Sequence, residues 1–291
     1  MNENSDKLSN AFRIDPNTTV GAVTIGVGNL GEMVQFYQRV IGLDVINRSE
    51  VSAELGIDKK PLVILEKESG GKHFPRSTGL YHMAILLPTR KDLGHWLTHL
   101  VSSQYPLDGA GDHIVSEALY LSDPEGNGIE MYHDRPREKW EYTENGPRMD
   151  TLPVDLESLQ AEAPREEFGG LPGGTVMGHV HLKVNNVASA VEFYRDALGF
   201  DLMATLTGAA FLSAGGYHHH IGVNMWNSRG ADPPPADSLG LIAYRIVLSN
   251  VDFRKTLLTR LNDLGHPVER VGTDALLRDP AGNGILLQTK P

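Results

Sequence analysis

The chain of 291 residues contains no cysteine. Disulfides, thiolate metal sites and a cysteine nucleophile are therefore excluded, and any metal held by the protein must sit on His, Asp or Glu. Nor is there a basic cluster: 26 Lys and Arg stand against 37 Asp and Glu, a formal net charge of −11. Charge of that sign disfavours nucleic acid and anionic membrane surfaces, which leaves a small molecule as the expected partner. No apolar run approaches the ~18 residues of a membrane helix. The opening MNENSDKLSN is polar and lacks the apolar stretch of a secretion signal, which predicts a short mobile tail on a cytoplasmic protein. What the chain does have is 40% hydrophobic residues, enough over this length for a sizeable core and about two domains.

It also repeats itself. VTIGVGNLGEMVQFYQRVIGL (23–43) and VHLKVNNVASAVEFYRDALGF (180–200) share an alternating strand, an Asn-bearing turn and an amphipathic helix carrying FY. HMAILLPTRKDLGHWLTHL (82–100) and AYRIVLSNVDFRKTLLTRL (243–261) are weaker copies. Short strand-like segments follow each helix, so each copy is a βαβββ module. DPEGNGIE (123–130) and DPAGNGIL (279–286) repeat a turn and strand late in modules two and four, with Glu130 in one and Leu286 in the other. Pro and Gly account for the turn without any functional role. The fold class expected is α+β, with modules one and two in residues 17–135 and modules three and four in 176–291. The charged, Pro- and Gly-rich stretch 136–175 reads as a linker with one short helix at VDLESLQAEA. NSRGADPPPADSLG (227–240) is either a lid over a pocket or a stiff connector.

Tandem βαβββ modules with an FY-bearing helix that closes on IGL or LGF, and a DPxGNxI strand, resemble the vicinal oxygen chelate superfamily. That group includes glyoxalase I, fosfomycin-resistance enzymes and type I extradiol dioxygenases. The likeness runs from about residue 19 to the end. It is nearest to bacterial two-domain catechol 2,3-dioxygenase-like proteins through GLYHMAILLP (79–88), SEALYLSDPEGNGIE (116–130), GHVHLKV (178–184) and GGYHHHIGVN (215–224). The resemblance implies curved mixed-sheet cups, each built from two modules, with metal ligands on first and last strands.

Counting seven residues back from the turn after each first strand (Asn29, Thr89, Asn186, Asn250) reaches Ala22, His82, His179 and Ala243. A His2Glu set of the family's kind is therefore completed only by pairing module two with module three, which gathers His82, His179 and Glu130. Modules one and four would form a cup without ligands. This departs from the usual extradiol layout, in which the two C-terminal modules hold the metal. His181, on the same face of its strand as His179, competes with it. Extradiol enzymes carry an HH pair at the start of the strand that HHH (218–220) opens, with the second of the pair acting in acid/base work; here that is His219. Tyr120 matches a pocket tyrosine of those enzymes, and His113 is a further candidate to face the pocket. His218, His220, His181 and Asn224 are expected around the substrate.

Two imidazoles and a carboxylate leave three positions open, a pattern suited to non-haem Fe(II), with Mn, Zn, Ni or Co as alternatives. The resemblance thus implies extradiol cleavage of a small aromatic substrate by O2, with His219 moving protons at near-neutral pH. The rival is a glyoxalase-like isomerase or metal-dependent transferase using its metal as a Lewis acid. Isomerisation in that family uses a second carboxylate opposite the first, and HHHIGVNMW (218–226) offers none. A metal-free ligand-sequestering protein is a third reading. Exposed strand edges also suggest a homodimer.

Overall fold

The computed structural model describes residues 12–143 and 146–290. The tail expected at residues 1–10 lies outside the described residues. Module one comprises β1 (Thr19–Val27), α1 (Leu30–Phe36), β2 (Asp44–Arg48), β3 (Ser52–Ile57) and β4 (Lys60–Lys67). Module two comprises β5 (Gly79–Leu87), α2 (Arg90–Ser102), β6 (Gly109–Asp112), β7 (Ser116–Ser122) and β8 (Gly128–Asp134). The linker carries a small hairpin, β9 (Tyr142–Thr143) with β10 (Gly146–Pro147), and a short helix, α3 (Leu156–Ala161). Module three comprises β11 (Val176–Lys183), α4 (Val187–Glu192), β12 (Asp201–Leu206), β13 (Ala209–Ser213) and β14 (Ile221–Asn224). Module four comprises β15 (Gly240–Leu248), α5 (Val251–Asp263), β16 (Glu269–Val271), β17 (Asp274–Arg278) and β18 (Gly284–Thr289).

Each helix starts for the same local reason. Asn29, Thr89, Asn186 and Asn250 are N-caps whose side chains accept a hydrogen bond from the backbone N–H three residues on. Each cap contributes about 1 kcal/mol. The FY pairs do not continue as ordinary helix: Tyr37–Ile41 and Phe193–Ala197 are single π turns. Their tyrosines explain the repeat. The hydroxyl of Tyr37 in module one donates to Asp123 in the DPEGN turn of module two, and Tyr194 of module three donates to Asp279 of module four, both at 3.0 Å. Asp123 and Asp279 also accept from the side-chain amides of Asn127 and Asn283, so both copies of the turn are hydrogen-bonded alike. Gly126 and Gly282 sit at φ +82° and +86°, the left-handed region that favours glycine.

The strands form two eight-stranded sheets, in orders β16-β17-β18-β15-β1-β4-β3-β2 and β12-β13-β14-β11-β5-β8-β7-β6. The first joins modules four and one through β1 antiparallel to β15; the second joins three and two through β11 antiparallel to β5. The Tyr37–Asp123 and Tyr194–Asp279 bonds therefore run from one sheet to the other. Alternate residues of the central strands, among them Val23, Ile25, Met83, Ile85, Val180 and Tyr244, meet the helices in one shared apolar core. The opposite faces are left to line the cups. No helix among the described residues is long and apolar enough to cross a membrane.

Candidate active site

β5 is the hinge of the site. It pairs with antiparallel β11 on one side, with His82 opposite His181, and with parallel β8 on the other, with Ala84 opposite Glu130. These registers carry His82, His179 and Glu130 to one point, all buried, with their candidate ligand atoms within 4.8 Å of one another. His179 Nε2 lies 3.2 Å from Glu130 Oε2 and donates to it. His82 Nε2 is 3.0 Å from the same oxygen but lacks hydrogen-bond alignment and remains buried without a partner. Burial would raise the Glu130 pKa, yet the neighbouring His179 and His82 outweigh it and hold the carboxyl well below its ordinary range. Burial pushes His179 down to about 4, so it is neutral near pH 7. Two imidazoles, one ionised carboxylate and an unpartnered Nε2 form a donor set that a divalent metal fits. The ring of His181 is buried at the wall beside His82, its Nε2 also without a partner, outside this group of three.

In the other sheet the corresponding positions are Ala22, Ala243 and Leu286. Leu286 pairs with Arg245, whose guanidinium donates to Thr24. Among the described residues that cup gathers no comparable group.

The ligand cluster opens into a cavity of about 1080 Å³. Its lining includes His113, Tyr120, His181, His218 and His219. His113 Nδ1 donates to the Asp150 carbonyl at 3.0 Å, leaving Nε2 to accept from the Tyr120 hydroxyl at 2.6 Å. Burial, reinforced by Glu130, raises the Tyr120 pKa well above the ordinary value and keeps the phenol neutral. The turn presenting His113 holds Ile114 at φ +71°, an uncommon conformation for a β-branched residue. His219 lies against His179, ring centroids 4.1 Å apart, and burial pushes its pKa well below the ordinary value.

Two expected pocket residues need correction. His220 turns away from the cavity because its Nδ1 pairs with Ser213 Oγ at 3.0 Å and accepts from the Ala214 N–H. Asn224 is fully buried, its Oδ1 accepting from the Trp226 N–H, and it does not reach the cavity lining.

Other wall residues escape sequence reading. A register irregularity between His181 and Leu182, opposite His82 and Leu80, leaves Tyr81 outside the ladder. Tyr81 and His82 therefore both reach the cavity. Tyr81 packs edge-on to Trp226 at 5.4 Å, and Phe211 to His181 at 5.6 Å. Lys183 shares the face of His179 and His181, a period of two that does point to it. Burial lowers its pKa. The linker is part of the wall: Thr143 and residues 147–151 border the cavity, and Leu152 bridges to Asp112. Residues 228–239 do not line it. Leu239 instead bonds to the Lys72 carbonyl, so that stretch is a connector.

The model of the Glyoxalase/Bleomycin resistance protein/Dioxygenase superfamily matches residues 19–131 and 176–287. A catechol-2,3-dioxygenase of Bacillus subtilis (strain 168) is 42% identical over 279 residues, covering 94% of this chain and 98% of its own. Among solved structures, glyoxalase I from Zea mays is similar in fold at TM-score 0.57 and 17% identity, covering 93% of this chain and 92% of its own. The cppA protein of Streptococcus pneumoniae TIGR4 is similar at TM-score 0.57 and 11% identity, covering 94% and 99%. On the strength of both matched segments and the full-length relative, the chain belongs to the Glyoxalase/Bleomycin resistance protein/Dioxygenase superfamily, as an extradiol dioxygenase-like enzyme.

Proposed function

We propose that the chain opens a catechol-type ring with O2, next to the hydroxyls, using a metal held by His82, His179 and Glu130. The convergence of these three side chains at the base of an aromatic-walled cavity carries the reading. Fe(II) suits the donor set best, and when bound it would supply chelation of both catechol oxygens and activation of O2. Mn, Zn, Ni and Co remain the alternative metals. His219, against His179 on the cavity wall, is the group to take a proton from the substrate hydroxyl and return it later. The Tyr120–His113 pair faces it as a fixed hydrogen-bonding group. Tyr81, Phe211 and Trp226 hold the ring and exclude water, while residues 147–151 cover it. A cavity of about 1080 Å³ has room for a catechol bearing a sizeable apolar substituent.

The register argues against the isomerase. The place in β14 equivalent to Glu130 is Gly222, opposite His181. A Cβ there would meet the His181 ring at 2.9 Å, so the imidazole fills the space a second carboxylate needs. The test is anaerobic loading with Fe(II), followed by O2 uptake and coloured ring-opened product across plain, alkyl- and aryl-substituted catechols. Failure with every catechol, alongside isomerisation of a methylglyoxal–thiol adduct, would overturn the proposal.

A further inference from the structure

Three residues running inward from the cavity wall form a continuous chain of hydrogen bonds. His219 Nδ1 and His218 Nδ1 are 2.8 Å apart, and His218 Nε2 is 2.9 Å from Asp134 Oδ1. The other carboxylate oxygen, Oδ2, accepts from the Tyr217 hydroxyl at 2.8 Å, and Tyr217 in turn meets Tyr132 at 2.8 Å. His218 is 1% exposed, so its ring exchanges neither contact for water.

The direction of this chain follows from donor and acceptor chemistry. A carboxylate only accepts, so His218 must carry its proton on Nε2. With its single proton held on Nε2 by the carboxylate, His218 offers a lone pair at Nδ1, to which His219 donates from its own Nδ1. That leaves the lone pair of His219 on Nε2, which has no hydrogen-bond partner among the described residues, while the ring borders the cavity. We propose that Asp134 is a positioning residue that, through His218, sets the tautomer of His219 and aims a basic nitrogen at the substrate. The assignment of His219 as base rests on the function proposed above; the tautomer relay does not. Asp134 was missed in the sequence although Glu130, Tyr132 and Asp134 alternate along one strand face.

The substitution Asp134→Asn keeps the shape, but its amide can donate to His218 Nε2, which reverses both tautomers. A wrong tautomer of this kind lowers turnover by about 10⁴-fold in a serine-protease triad. For Asp134→Asn in the iron-loaded enzyme, kcat should fall by about 10²-fold or more with KM nearly unchanged, whereas Tyr217→Phe, which leaves the His218 contact in place, should lose less than about tenfold. Independently of activity and metal, 15N NMR of the metal-free wild type should show His218 protonated on Nε2 and His219 on Nδ1. A wild-type His219 protonated on Nε2 would overturn the relay, as would an unchanged kcat in a folded Asp134→Asn. The NMR result needs no variant, so it decides the matter even if Asp134→Asn does not fold. A catalytically inert wild type with the expected tautomers would refute the ring-cleavage reading and leave the relay standing.

Discussion

Glu130→Gln isolates the metal-binding role of the carboxylate from its structural one. The amide retains the shape of the side chain and a carbonyl that can accept from His179, as the carboxylate does at 3.2 Å. It loses the charge and with it most of the attraction for a divalent ion. Because the three ligand atoms already lie within 4.8 Å of one another, little rearrangement opposes binding in the wild type. A metal at about a hundred times its Kd stabilises the native state by about 2.7 kcal/mol, and a hundredfold loss of affinity at the same concentration leaves about 0.4. For a chain of this size the wild-type gain corresponds to a rise in Tm on the order of 5 °C, and the variant's to about 1 °C. Thermal unfolding with and without Mn(II), or Fe(II) under anaerobic conditions, reads both. The metal-free Tm of Glu130→Gln should itself fall, because the folded state favours the ionised carboxyl beside His179 and His82, so the quantity compared is the metal-induced rise within each protein. Leu286→Ala, in the opposite cup, should lower the metal-free Tm through lost packing but keep the whole metal-induced rise. A full rise in Glu130→Gln, or its loss in Leu286→Ala, would refute the assignment of the cup.

His219→Ala should bind metal as the wild type does while losing turnover by about 10²-fold or more; metal analysis beside steady-state kinetics checks this, and wild-type rates would make the residue structural. Tyr37→Phe removes one hydrogen bond between the sheets and leaves the buried Asp123 carboxylate one donor short, which should cost about 1.5–3 kcal/mol in urea unfolding; Tyr194→Phe removes two, since its hydroxyl also accepts from Tyr244 at 3.0 Å, and should cost more, near-additively in the double variant. The acid stability should depend on Glu117. Burial raises its pKa, but hydrogen bonds from His133 and Arg90 outweigh this and hold it at about 2 against an ordinary 4.5. A depressed carboxyl stabilises the fold above pH 4.5 and loses that contribution as pH falls toward 2. Allowing for screening, the wild type should lose about 2 kcal/mol more than Glu117→Gln over that window, and parallel unfolding curves for the two would remove Glu117 as a cause. A fragment ending near residue 150 strips β11 from β5 and takes away His179, so isothermal titration should find its metal affinity far below that of the whole chain.

Much of this was legible from the chain alone because it repeats. Four strands followed by capped helices, and two copies of DPxGN, mark out the modules by local chemistry: side chains that cap the first turn of a helix, and glycines where φ must be positive. The differences between copies, His82 and His179 against Ala22 and Ala243, and Glu130 against Leu286, singled out three side chains from twelve histidines and many carboxylates. What period and spacing do not carry is which strand lies beside which, and with what local shift. The register irregularity beside His82 lets Tyr81 reach the cavity. The orientation of β14 sends His220 to Ser213 and aligns His218 with Asp134, a residue 84 positions away. The FY motif read as helix, yet its tyrosine leaves the regular helix at a π turn to reach a turn in the other sheet. These features depend on hydrogen bonds between segments remote in sequence, whose free energy exists only once the sheets have paired. The identity of the candidate ligands was therefore local information, whereas their convergence and the orientation of the histidines behind them belong to the tertiary structure.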